Sequence, residues 1–144
     1  MNEKSIQFFT EDIGYQIKGR GILRRGILQL ISEKGFLGGT INIIFCSDQF
    51  LRGYNKKYLN HDYYTDVVTF NLSENIKEIA GDIFISLDRV RDNAKTYKVS
   101  LKMEIARVIG HGVLHLTGME DSSEELKQAM RMEEDKFLSS LVNY

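Results

Sequence analysis

The chain has 144 residues, 42% apolar and 27% charged, with a formal net charge of −1 and one cysteine, Cys46. This length suits one hydrophobic core, and the composition is that of a globular domain, which excludes a disordered or membrane-embedded chain. A lone cysteine excludes an intrachain disulfide and a four-cysteine zinc site, and the near-neutral charge lacks the global basic footprint of many nucleic-acid binders. No run approaches the roughly 20 apolar residues of a membrane span, and MNEKSIQFFTED has no signal-peptide apolar run behind a basic head. One domain spanning residues 1–144, in the reducing cytoplasm and without a membrane partner, is the expectation.

In chain order, residues 5–9 form a short β-prone run. Apolar residues then recur at helical spacing through Ile22, Leu23, Ile27, Leu30 and Ile31, with Gly35, Gly38 and Gly39 expected to end that helix. Residues 40–46 (TINIIFC) are apolar and β-branched along nearly their whole length, which predicts a central strand buried on both faces. Ser47 is placed to cap a helix running to about Leu59. The polar turn NHDYYTD leads into two further strands, residues 67–72 and 81–86. From residue 87 onward the pattern is helical, over about 87–98, 101–116 and 123–141, with Ser100 and Ser122 as expected caps. A small sheet of about four strands packed with helices predicts an α+β (α/β-like) single domain.

The chemistry concentrates in residues 104–121, EIARVIGHGVLHLTGMED. His111 and His115 lie four apart, so on a helix they are about 40° apart and about 6 Å along the axis, on one face. Their helix is apolar nearly all round and therefore buried, and two imidazoles on it need partners, which a metal ion supplies. Gly118 can end the helix in a left-handed conformation and turn Glu120 or Asp121 toward the same ion. Two histidines and a carboxylate leave a coordination position free for water on a zinc-type ion. Gly112 occupies the place where H-E-x-x-H metallopeptidases carry their general base, which argues against that class.

The segment H-G-V-L-H-L-T-G-M-E-D, residues 111–121, resembles the signature of the bacterial YbeY family, which runs His-Gly-x-Leu-His-Leu-x-Gly-Tyr-Asp-His. Thr65-Asp66-Val67-Val68-Thr69-Phe70 resembles that family's Thr-Asp-Val-Leu-Ser-Phe block. Residues 81–86, GDIFIS, resemble its Gly-Asp-Ile strand, and Glu104 falls where its metal-binding helix has a glutamate. The resemblance implies a metal-dependent endoribonuclease specific for single strands, acting in maturation of small-subunit ribosomal RNA and in ribosome quality control. Its partners would be single-stranded RNA, ribosomal RNA and the small ribosomal subunit. It implies His111, His115 and Asp121 as ligands of one divalent transition metal, with Zn²⁺ the first expectation.

Two positions depart from the family pattern. Asp121 stands where the family has a histidine; carboxylate oxygen binds zinc at about the distance of imidazole nitrogen, and its charge favours harder ions such as Mn²⁺ or Fe²⁺ as competitors. Leu59 stands where the family has an arginine, with Lys56 or Lys57 as substitutes. Asp66, Asp82 and Glu104 are the candidate catalytic carboxylates, although Asp66 and Asp82 also suit turn positions. Tyr63, Tyr64 and Phe70 could stack on unpaired bases, and His61 reads as a surface residue. The basic residues between Arg89 and Arg107 read as a solvated helix face, with a groove tracking RNA as the functional counterpart. The alternative is a ribosome-associated assembly factor with a structural metal and little nuclease activity. A ferrous oxygenase would share the ligand set but finds no cosubstrate pattern here.

Overall fold

The sheet is built around Leu37–Cys46 (β2), the long apolar run. It pairs in parallel with Ile6–Thr10 (β1) on one side and Glu78–Ser86 (β4) on the other. Val67–Asn71 (β3) lies antiparallel to β4 at the edge, so the order is β1-β2-β4-β3. Five helices complete the chain: Arg20–Glu33 (α1), Asp48–Leu59 (α2), Leu87–Tyr97 (α3), Leu101–Leu116 (α4) and Glu124–Ser139 (α5). This computed structural model describes residues 5–144. The architecture is α+β with a mixed four-stranded sheet, as the order of elements predicts.

Side chains alternate across a strand with a period of two, and β2 is apolar at both phases. Ile41, Ile43 and Phe45 join Ile83 and Ile85 of β4 in the larger core, with Leu23 and Ile27 of α1 and Ile105, Ile109 and Val113 of α4. Ile44 and Cys46 turn the other way, into a smaller core with Leu51 of α2, Val68 and Phe84. Phe70 belongs to this second layer, edge-on to Tyr54 and Phe84 with ring centroids 5.5 and 5.9 Å away. It packs there and does not reach the histidine face.

Local signals explain most boundaries. Ser47, Ser86 and Ser100 each accept a hydrogen bond from the amide three residues on, the usual service of a cap to the first turn. The cap of α5 is Ser123, whose Oγ accepts from Leu126 N at 3.1 Å, and not Ser122. Gly35, at φ 85°, is the glycine that follows the α1 stop, whereas Gly38 and Gly39 lie inside β2. There the register with β4 shifts between Gly38 and Ile41, and a Cβ at Gly39 would sit 2.5 Å from Glu78 Oε1. Gly39 makes room for Glu78 of the neighbouring strand, and neither glycine punctuates a helix. Among the described residues no helix is long and apolar enough to cross a membrane.

Candidate metal centre

The helix α4 is held close on two sides, because Gly110 faces the Phe137 ring of α5 and Gly112 faces Ile83 of β4. A Cβ at residue 112 would lie 2.7 Å from Ile83 Cγ2, so the position has no space for the glutamate of a metallopeptidase. The same packing leaves the His111–His115 stripe half-buried, on a helix packed beside β3 and α5.

His111 Nε2 and His115 Nε2 point at each other 3.0 Å apart. Asp121 Oδ2 lies 3.5 Å from each of them. What brings it there is the helix stop. Gly118, at φ 96°, reverses the chain, with its amide donating to His115 O and the Met119 amide to Leu114 O. The reversal also turns the Met119 carbonyl to His115 Nδ1, at 3.0 Å. His111 Nδ1 is 2.6 Å from Glu134 Oε2 of α5. An acceptor at each Nδ1 keeps the proton there and leaves each Nε2 lone pair free, the tautomer that metal ligation needs.

The donor set fits one ion. A tetrahedral ion with ligands at about 2.0–2.2 Å sets ligand–ligand edges of about 3.3–3.6 Å, and the three measured separations are 3.0, 3.5 and 3.5 Å. Burial alone would lower the His111 pKa, but the hydrogen bond and charge of Glu134, with Asp121 and Asp66 nearby, outweigh it and raise the pKa. The surroundings thus favour positive charge at this place, whether a proton or a cation carries it.

Glu134 is the residue that sequence reading missed. It is only 5% exposed, and its other oxygen accepts from Arg107 Nη1 at 3.0 Å, while Arg107 Nη2 reaches Asp135 at 2.7 Å. One signal was available: Glu134 lies in register with the buried residues Met130 and Phe137 of a helix that is otherwise charged. The Met119 carbonyl left no sequence trace.

Of the three candidate carboxylates, the structure brings one to the histidines. Asp66 lines a cleft of about 460 Å³ together with His61, Tyr63, His111, His115 and Asp121. Its Oδ2 accepts from Asn93 Nδ2 of α3 at 3.3 Å. Asp82 shares the strand phase of Phe84 and pairs with Asn42 Nδ2 at 3.0 Å, so it lies on the sheet face away from α4. Glu104 sits on the histidine side of α4 but about two turns earlier, 4% exposed and outside the cleft lining.

The remaining expectations sort in the same way. Leu59 lines the cleft and neither Lys56 nor Lys57 does; Lys56 lies 3.9 Å from Asp62 and Lys57 lies over the Tyr58 ring. His61 is exposed, as expected of a surface residue, and lines the cleft; its Nδ1 is 3.1 Å from the Tyr63 hydroxyl. Tyr64 is flanked by the guanidinium groups of Arg52 and Arg89, at 4.7 and 4.8 Å from its ring centre. Arg91, Lys95, Lys98 and Lys102 are exposed, in line with the solvated face expected, while Arg89 pairs with Asp48 and Arg107 with α5.

Fold and cluster together define a class: a mixed-sheet α+β protein with a helix-borne group of two histidines and a carboxylate able to hold a metal ion. The family model described as Endoribonuclease YbeY matches residues 16–142, and the chain belongs to that family. The endoribonuclease YbeY of Cytophaga hutchinsonii is 45% identical over 139 residues, covering 96% of this chain and 97% of its own. That of Amoebophilus asiaticus is 40% identical over 138 residues, covering 96% and 94%. A solution structure of a Thermotoga maritima protein superposes with a TM-score of 0.63 at 22% identity, over 94% of this chain and 88% of that one, which shows the shared fold. An endoribonuclease is a hydrolase acting on RNA, and that is the enzyme class of the family.

Proposed function

We propose that this chain is a single-domain, metal-dependent endoribonuclease that cuts single-stranded RNA in the cytoplasm, in maturation of small-subunit ribosomal RNA and in ribosome quality control. The observation that carries it is the convergence of His111 Nε2, His115 Nε2 and Asp121 Oδ2 where two clefts meet. The second cleft, of about 320 Å³, shares His111 and Asp121 with the first and opens along α5. An endonuclease needs the polymer to continue on both sides of the bond it cuts, and a centre between two clefts allows that.

His111, His115 and Asp121 would hold one divalent transition metal, zinc being the expected ion. Such an ion supplies Lewis acidity at a phosphoryl oxygen and lowers the pKa of water. The chain's own residues do the rest. Glu134 and the Met119 carbonyl keep both imidazoles in the ligating tautomer, and Asp66, which lines the cleft, would accept a proton there. Tyr63, 54% exposed at the cleft wall, offers a ring on which an unpaired base can stack.

The test pairs metal content with cleavage. Wild-type protein should carry about one ion per chain and cut a single-stranded ribosomal RNA fragment in a chelator-sensitive way; His111→Ala/His115→Ala should lose both. Bound metal without cleavage would favour the assembly-factor role, and protein that takes up no metal would overturn the proposal.

A further inference from the structure

The cleft beside β3 has acidic walls, Asp66 and Asp121, and among the described residues no lysine or arginine lines it. A polyanion bound across the metal centre needs fixed cations in addition to the ion. Most nearby arginines already serve carboxylates: Arg107 holds Glu134 and Asp135, Arg89 holds Asp48, and Arg52 holds Asp62. The second cleft differs. It is lined by Arg131, Lys127 and Tyr97 together with His111, Asp121 and Glu134. Lys127 has Glu124 at 3.9 Å, whereas Arg131 has no carboxylate within ion-pair distance among the described residues.

Arg131 is exposed, and its guanidinium lies over the Tyr97 ring of α3, 5.8 Å from the centre. An aromatic face beneath it restricts the fork without neutralising it, and a guanidinium so placed can hold two oxygens of one phosphate. We propose that Arg131 is an RNA-backbone contact, taking a phosphate of the single strand on the α5 side of the metal centre. This rests on the endoribonuclease reading. The contact is to backbone and positions the strand; it carries no sequence preference.

The test is binding of a short labelled single-stranded RNA of mixed sequence to the full chain over a range of salt, with and without chelator, alongside steady-state cleavage. Arg131→Gln should bind about tenfold more weakly and shift the slope of log affinity against log salt by about 0.7, the loss of one phosphate contact on a single strand. Arg131→Lys should restore the slope and only part of the affinity. KM should rise in Arg131→Gln while kcat at saturating RNA stays as in wild type. Weaker binding with an unchanged slope, or no weakening at all, overturns the proposal. The two readings fail separately: wild-type protein that binds RNA with an Arg131-dependent slope but never cleaves it sinks the nuclease and keeps the contact. Normal cleavage with a wild-type slope in Arg131→Gln does the reverse.

Discussion

Glu134 Oε2 lies 2.6 Å from His111 Nδ1, and the same buried carboxylate accepts a hydrogen bond from Arg107. Three residues from two helices thus fix the direction in which His111 Nε2 points. A carboxylate behind a ligating imidazole fixes its tautomer and raises its basicity, and losing such a partner typically costs about 10–100-fold in metal affinity. Glu134→Ala should show a loss of that size in competition with a chromophoric chelator. Glu134→Gln keeps an acceptor without the charge and should fall between the two.

The fold was largely legible because its signals are local. Serine caps, the doubly apolar β2 and the helical spacing from residue 101 each act within a few residues, and the elements follow them. His111, His115 and Gly118 were legible for the same reason, since one helical turn and one left-handed residue bring their chemistry together. Strand order, the side of the sheet on which Asp82 lies, and the approach of Glu134 from a helix 23 residues away depend on packing between distant segments. Alternation shows that Asp82 and Phe84 share a face; only the packed structure shows that α4 is on the other one.

Close packing of α4 on β4 yields a prediction about Gly112. An added methyl would meet Ile83 at 2.7 Å. Overpacking of this kind costs about 1–3 kcal/mol, and the better helix propensity of alanine returns up to about 1 kcal/mol. With the full propensity gain returned, Gly112→Ala should lower stability by up to about 2 kcal/mol, seen as a lower urea midpoint at unchanged slope. A midpoint at or above that of wild type would contradict the tight contact.

Glu104 gives a pH-dependent effect. Burial pushes its pKa above the usual 4.5, with Arg107 pulling it down and Asp66 pushing it up. The folded chain thus holds this proton more tightly than the unfolded one. Stability conferred by the bound proton is complete below pH 4.5 and is lost as pH rises through the folded pKa. Glu104→Gln carries no charge at any pH. It should match wild type in strong acid and exceed it at neutral pH, measured by denaturant unfolding at both. Since Glu104 does not line the cleft, cleavage should survive the change; if activity is abolished in a stably folded Glu104→Gln, this placement is wrong.

Asp66 and Asp82 were equal candidates in the sequence, and the structure separates them. Asp66 faces the cleft that holds His111, His115 and Asp121, with Asn93 anchoring one of its oxygens. Asp82 faces Asn42 on the α2 side of the sheet. If Asp66 moves a proton during cleavage, Asp66→Asn should lower kcat by about 10²–10⁴-fold with metal content unchanged, the range for loss of a general acid or base. Asp82→Asn should leave kcat alone and cost at most about 1 kcal/mol through its weakened bond to Asn42. Single-turnover cleavage of one RNA by both variants, each checked for bound metal, decides it. Equal losses in the two variants would mean that the sheet does not divide the carboxylates as the structure indicates. A silent Asp66→Asn would rule Asp66 out as the proton acceptor.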